Sequence, residues 1–265
     1  MKICVSGLTA VGKTFIAKKI AQAYNIKYIS ASVLLLDGGL LLGYHSFKPN
    51  ERRDHFWLTP HADLFNLERL QDHKLDKRID CLLLNYLDRE PGLIADTLTA
   101  PFLMPRQNNA FNILILASLE VRAKRAWLSS PTLSIPELMK GVSTKDKKAS
   151  EILKAAWGID ITSDELSQFY DLVLENSDLD DQNDIAKTGN VSKVITLEAI
   201  RACVDMYDWC RGNSDNVSAL MAQSKIIGML NEFPNLFRKY PKVFLEKIDT
   251  IRRYDWQRRN ENDRN

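Results

Sequence analysis

Ser6 to Thr14 reads Ser-Gly-Leu-Thr-Ala-Val-Gly-Lys-Thr, which sets Gly7, Gly12, Lys13 and Thr14 at the spacing Gly-x4-Gly-Lys-Thr. Each residue type has a task there if the bound group is a polyphosphate. Gly7 and Gly12 admit backbone conformations and a close approach that a Cβ would obstruct. The backbone N–H groups from about Thr9 through Ala10, Val11 and Gly12 to Thr14 can turn inward. They would take phosphate oxygens at the positive end of a following helix. Lys13 can reach the outer phosphates, and the Thr14 hydroxyl can ligate Mg2+. A glycine turn that merely precedes Lys-Thr is the competing explanation. The apolar strand pattern before the loop and the helical pattern after it argue against that.

A second group of candidates lies further along. Leu93-Ile94-Ala95-Asp96 is a strand ending in a carboxylate, and strand C-termini in an open α/β sheet converge on the ligand crevice. Asp96 there could hold Mg2+ through water or accept a proton from a substrate hydroxyl; alternatively, Asp96-Thr97 could cap the next segment. Arg122 and Arg125 stand about one helical turn apart, so their guanidinium forks could share the charge of a transferring phosphoryl group. A solvated helix face beside Glu120 is the alternative. Lys140, Lys145, Lys147, Lys148 and Lys154 fall in a segment that could close over the site as a lid, or form ordinary solvated surface. Phe56-Trp57 reads as packing of a substrate-side flap. His45, His55, His61 and His73 have no metal-ligand spacing.

These residues need a scaffold. Lys2–Val5, Lys27–Ser30, Leu93–Asp96, Ile113–Ala117 and Asp171–Leu174 read as strands. Phe15–Tyr24, Leu75–Leu87 and Leu119–Leu128 carry helical spacing, with Ile79, Leu82, Leu83 and Tyr86 on one face of the second. Strands alternating with helices imply an α/β layer fold with a parallel sheet. Gly38-Gly39 reads as a turn, and residues 48–54 as a polar stretch. Ile195–Cys210 and Asn216–Asn231 look helical, and Leu236 to Ile251 continues a helix-like spacing after Pro234. Over 265 residues the net charge is +2, which argues against a protein held to nucleic acid by bulk charge. A terminal basic run, Arg252, Arg253, Arg258 and Arg259, is the weak exception. No apolar run approaches the roughly 20 residues of a membrane span. Four scattered cysteines fit a reducing compartment, so a cytoplasmic protein is expected.

Residues 2–32 resemble the opening of cytidylate kinases, especially the compact archaeal type. Ile113-Leu-Ile-Leu-Ala-Ser-Leu-Glu-Val-Arg-Ala-Lys-Arg is similar to their strand-plus-arginine segment. Trp157-Gly-Ile-Asp, followed by Asp171-Leu-Val-Leu-Glu-Asn-Ser, is similar to a further pair of their motifs. The resemblance covers residues 1 to 180 in patches. It implies a P-loop kinase three-layer sandwich with five parallel strands in the order 2-3-1-4-5, an acceptor-binding region, a lid, and transfer of the ATP γ-phosphoryl to CMP or a related monophosphate. The departures fall on the acceptor side. Ala31-Ser-Val-Leu-Leu-Leu36 replaces a segment that carries a phosphate-clamping arginine, and Asp96-Thr97-Leu98-Thr99 stands where Gly-Arg is common. In the lid, Lys145-Asp146 stands for Arg-Asp, and Ile152 for an arginine.

The expectation is therefore an ATP- and Mg2+-dependent phosphotransferase. A kinase domain would span residues 1–194, with a lid at about 130–157 and an acceptor-side flap at about 34–74. A helical extension would span residues 195–265 and could pair with a second copy. Lys13, Asp96, Arg122 and Arg125 are the catalytic candidates; Gly7, Thr9, Ala10, Val11, Gly12, Lys13 and Thr14 bind nucleotide; Thr14 and Asp96 hold the metal. The acceptor is a small molecule: a monophosphate held by flap arginines such as Arg52, Arg53 or Arg69, or a hydroxyl-bearing nucleoside or metabolite served by Asp96. A nucleotide-binding module without turnover is the remaining alternative.

Overall fold

The computed structural model describes residues 1–41, 56, 60–104, 110–128, 131, 133–179, 190–241 and 244. Arg52, Arg53, Trp57, His45, His55, the polar 48–54 stretch and the basic run from Arg252 lie outside the described residues. Five short strands, β1 (Lys2–Ser6), β2 (Lys27–Ser30), β3 (Leu93–Asp96), β4 (Ala110–Leu116) and β5 (Leu172–Glu175), run parallel. The sheet order is β2-β3-β1-β4-β5, and a sixth strand, β6 (Phe237–Lys239), joins β5 antiparallel. The expected five-stranded order is present, and the extension adds one strand to its edge.

Central strands of such a sheet are apolar on both faces because helices cover both. One face of β1 (Ile3, Val5) joins Ile94, Ile113 and Leu174 against α1 (Lys13–Tyr24) and α8 (Asn190–Cys210). The opposite face, through Cys4 and Ala95, meets Leu83 and Leu87 of α4 (Lys74–Arg89). The remaining helices are α2 (Ala31–Leu41), α3 (Pro60–Gln71), α5 (Ala100–Leu103), α6 (Leu119–Trp127), α7 (Ile135–Trp157) and α9 (Asn216–Glu232).

From Ile135 to Trp157 the segment expected to act as a lid is one helix, α7. Ser134 and Glu137 form a reciprocal capping box at the start of α7, Pro136 occupies its first turn and Gly158 closes it. Its 23 residues span about 34 Å at about 1.5 Å per residue. Lys148 of α7 reaches Asp63 of α3 at 2.6 Å, so the helix in the expected lid segment meets the one in the expected flap.

Three local expectations are corrected. Gly38 and Gly39 do not turn the chain but lie inside α2. A Cβ on Gly38 would stand 3.0 Å from Leu75 Cδ1 and 3.2 Å from Ile79 Cδ1, so glycine here lets α2 approach α4 closely. On α4 the buried stripe is Leu75, Asp76, Ile79, Asp80, Leu83 and Leu87, whereas Leu82 and Tyr86 are exposed. The stripe was misphased because two aspartates belong to it. Finally, the spacing after Pro234 is not wholly helical, since Phe237–Lys239 is β6. Ala199, Ile200, Cys203 and Val204 of α8 are fully buried in the main core, so these apolar positions face this chain's own sheet, and pairing of the extension with a second copy finds no support. Among the described residues no helix is long and apolar enough to cross a membrane.

Candidate active site

The loop between β1 and α1 has the alternation of backbone conformations that turns successive amides inward. Ala10 (φ 65°) and Gly12 (φ 97°) are left-handed. Gly7 sits so close to β4 that a Cβ would stand 2.5 Å from the Ile115 carbonyl oxygen. The Gly12 carbonyl accepts the Ile16 N–H at 3.2 Å, which opens α1. The Lys13, Thr14 and Phe15 amides are then the first-turn donors that no helical carbonyl can satisfy. Sequence alone sufficed to find this loop, because its geometry is local.

Asp96 pairs in register with Val5 on one side and Ser30 on the other, which brings it to the loop. Its Oδ2 accepts the Thr14 hydroxyl at 2.5 Å, and it is 3% exposed. The capping that Asp96-Thr97 could have supplied falls to Thr97 instead, whose Oγ1 accepts the Thr99 and Ala100 amides. The proposed metal pair, Thr14 and Asp96, is therefore together.

Tyr28 stands beside this pair and was missed from the sequence. Its hydroxyl is buried beside Ser30, Thr14 and Asp96 and makes no full hydrogen bond among the described residues. Burial, followed by the neighbouring Asp96 carboxylate, pushes the phenol up to about 12. It was hidden because an aromatic residue in a short strand reads as packing. A buried hydroxyl without a full hydrogen bond has capacity left for a water. Mg2+ takes oxygen ligands and keeps several waters. One hydroxyl and one carboxylate as direct or water-bridged ligands, with the Tyr28 O–H available to a water of that shell, fit such an ion.

The two arginines of α6 are brought to the loop by its outer side. Arg122, 6% exposed, donates to the Thr9 and Ala117 carbonyls and forms a 2.5 Å ion pair with Asp146 of α7. The other Asp146 oxygen accepts the Thr9 N–H at 2.9 Å. Thr9 is thus gripped at both its N–H and its C=O, one by each helix. Arg125, equally buried, donates to Val11 O, to Asn176 at both its carbonyl and its side-chain oxygen, and to Ser192 Oγ. The sequence named Asp146 only through the lid pair Lys145-Asp146 and gave no role to Asn176 and Ser192, which join the same cluster.

Lys145, next in the chain, is half-buried. Burial, and then the nearby Lys13 charge, lower its amine to about 8, with Asp146 and Asp96 opposing. A cavity of about 350 Å3 opens between Leu8 of the loop, Leu119 and Arg122 of α6, and Ser143 and Lys147 of α7.

On the acceptor side, Arg69 is buried and bound to Asp76 at 2.5 Å and to Asn66. Leu36 packs with Phe56, Phe65 and Leu75 in a separate apolar cluster, so Phe56 packs the flap as expected. Asp80 accepts the Thr99 hydroxyl at 2.6 Å and the Trp157 indole N–H at 2.7 Å, joining α4, the β3 loop and the end of the lid helix. Burial raises this carboxyl to about 6.

A family model described as the cytidylate kinase-like family matches residues 2–178. The chain is 27% identical over 177 residues to the cytidylate kinase of Sulfolobus acidocaldarius, covering 67% of this chain and 86% of that protein. It is 26% identical over 176 residues to the cytidylate kinase of Methanosarcina mazei, covering 66% and 87%. Among solved structures, the shikimate kinase of Bacteroides thetaiotaomicron is similar at 14% identity and a TM-score of 0.40, covering 76% of this chain and 98% of that one. The matched family segment ends before α8.

Proposed function

The chain belongs to the cytidylate kinase-like family, and from that premise we propose that it moves the γ-phosphoryl group of ATP to a nucleoside monophosphate of the CMP or dCMP type. The observation that carries the reading is the Thr14–Asp96 contact at the mouth of the phosphate loop. It joins the loop hydroxyl to a strand-end carboxylate, as metal-assisted phosphoryl transfer requires.

The loop amides after Thr9 hold the phosphates, since the Thr9 N–H expected among them is taken by Asp146, and Lys13 offsets charge on the outer ones. A bound Mg2+ would supply charge that neutralises the phosphate oxygens. Thr14 and Asp96 would hold it, and Tyr28 would donate to a water beside it. Arg125 acts as a positioning residue, tying the back of the loop at Val11 to the end of β5 at Asn176. Arg122 likewise fixes Thr9, and Lys145 adds charge from the lid. With a monophosphate acceptor, Asp96 acts as a metal-shell carboxylate, since the attacking phosphate oxygen needs little help losing a proton.

A hydroxyl acceptor is the second reading, and one observation favours it. The described flap arginine, Arg69, is committed to Asp76, and Leu36 lies in an apolar cluster. A phosphate dianion needs fixed positive charge, whereas a hydroxyl needs a base, and Asp96 would be that base.

Phosphate-transfer assays over CMP, dCMP, UMP, AMP, cytidine and deoxycytidine decide between them. Turnover of CMP or dCMP that disappears in Lys13→Ala supports the first reading. Turnover confined to the nucleosides supports the second. ATP binding with no acceptor consumed, or full turnover in Lys13→Ala, overturns the donor mechanism.

A further inference from the structure

Helix α8 lies outside the family-matched residues, yet two of its side chains are built into the wall of the phosphate loop. Ser192 Oγ accepts from Arg125, and Thr196 Oγ1 accepts from the Asn176 side chain at 3.2 Å. Asn176 also binds the guanidinium that holds Val11, and all four of Arg125, Asn176, Ser192 and Thr196 are buried. The start of α8 is therefore fixed relative to the loop by a closed polar network.

Lys193 is one position round the helix from Ser192, and this anchoring sets its side chain across the outer face of Gly12. A Cβ on Gly12 would stand 3.7 Å from Lys193 Cγ, which is ordinary packing distance. The Lys193 ammonium lies 5.5 Å from the ring centre of Phe15, a residue that is 38% exposed. Phe15 follows Thr14 on the first turn of α1, whose free amides mark where a phosphate chain leaves the loop. An exposed aromatic ring and a lysine in contact with each other therefore stand together at this end of the loop.

We infer that the start of helix α8 completes the nucleotide site: Lys193 binds the sugar-proximal phosphate of a nucleoside tri- or diphosphate, and Phe15 forms the wall beneath its sugar. This rests on the reading of the loop as the donor site. It assigns a ligand to a segment that the family match leaves without one. Lys193 is a binding residue for the donor, remote from the transferring group, so its loss acts on donor affinity.

The test uses the full chain and four forms: wild type, Lys193→Met, Lys193→Arg and Lys13→Ala. Dissociation constants for Mg·ATP and Mg·ADP are measured by calorimetry, alongside thermal midpoints and, for the wild-type acceptor, kcat and KM. Lys193→Met should weaken both nucleotides about tenfold or more, as loss of a charge-assisted contact does. It should raise the KM for ATP with kcat within about twofold, since uniform binding is what is removed. Lys193→Arg should retain most of the affinity. Lys193→Met binding both nucleotides as the wild type does, while Lys13→Ala binds them weakly, overturns the inference and leaves the donor reading standing. No affinity for either nucleotide in the wild type overturns both. Should Lys193→Met lower the thermal midpoint, Lys193→Gln replaces it in the same comparison.

Discussion

Replacing Asp146 by alanine removes the carboxylate on which the lid helix and the phosphate loop converge. Arg122 Nη1 and Asp146 Oδ2 are 2.5 Å apart, and the two side chains are only 7% and 9% exposed. Removing one partner of a buried pair leaves the other charge uncompensated, which costs about 3–5 kcal/mol. The Thr9 N–H, 2.9 Å from the other carboxylate oxygen, loses its acceptor as well, adding about 1 kcal/mol or more. Asp146→Ala should therefore destabilise by about 4–6 kcal/mol, which at about 2–4 °C per kcal/mol lowers the thermal midpoint by about 10–20 °C. The double variant Arg122→Met/Asp146→Leu removes both charges and fills the space, and apolar replacements of buried pairs are often neutral. It should recover at least about 2 kcal/mol relative to Asp146→Leu alone, a coupling that the double-mutant cycle over Arg122→Met and Asp146→Leu measures directly. Urea unfolding followed by circular dichroism at neutral pH gives these values for all four corners of the cycle. A loss below about 1 kcal/mol in Asp146→Ala, or strict additivity in the double variant, refutes the picture of a buried clamp on Thr9.

Two pH effects follow from groups around the site. Burial raises the Asp80 carboxyl from 3.8 to about 6, against hydrogen bonds from Thr99 and Trp157. The folded chain holds this proton more tightly than the unfolded one, so the group's contribution is greatest below pH 3.8 and is lost as the pH climbs to about 6. Asp80→Asn should remove that segment of the stability profile; an identical profile between pH 4 and 6 contradicts the assignment. Burial and Lys13 lower Lys145 from 10.5 to about 8, so folding sheds this proton between those values and the group's contribution to stability rises with pH there. Protonated Lys145 favours a bound triphosphate, so ATP affinity should fall about threefold or more between pH 7.5 and 9.5. Lys145→Met should flatten that fall, and an unchanged slope would show that Lys145 does not face the nucleotide.

The parts of the site legible in the amino-acid chain are those whose geometry is set by neighbours in sequence. Gly7 to Thr14 form their nest within eight residues of backbone, and Lys2–Ser6 and Lys13–Tyr24 follow from hydrophobic spacing. Asp96 was legible for a related reason, since a strand's last residue in a parallel sheet projects toward the crevice. Where spacing misled, a packing partner distant in sequence had intervened. Gly38 belongs in a helix because Leu75 and Ile79 crowd it, and Asp76 and Asp80 share the buried stripe of α4 because Arg69, Thr99 and Trp157 satisfy them.

The sequence by itself thus determined a phosphate loop between strand and helix, the alternating α/β layers and the carboxylate that faces the loop. Each of these rests on backbone geometry or on a short-range period. Tertiary structure alone decided what each long side chain does. Arg122 answers to Asp146, Arg125 to Asn176 and Ser192, Arg69 to Asp76, and Tyr28 and Lys193 come to the loop from separate elements. A guanidinium or ammonium on a flexible stem can reach in many directions. Which charge it meets depends on helices brought together by burial of their apolar faces, and no local pattern encodes that meeting.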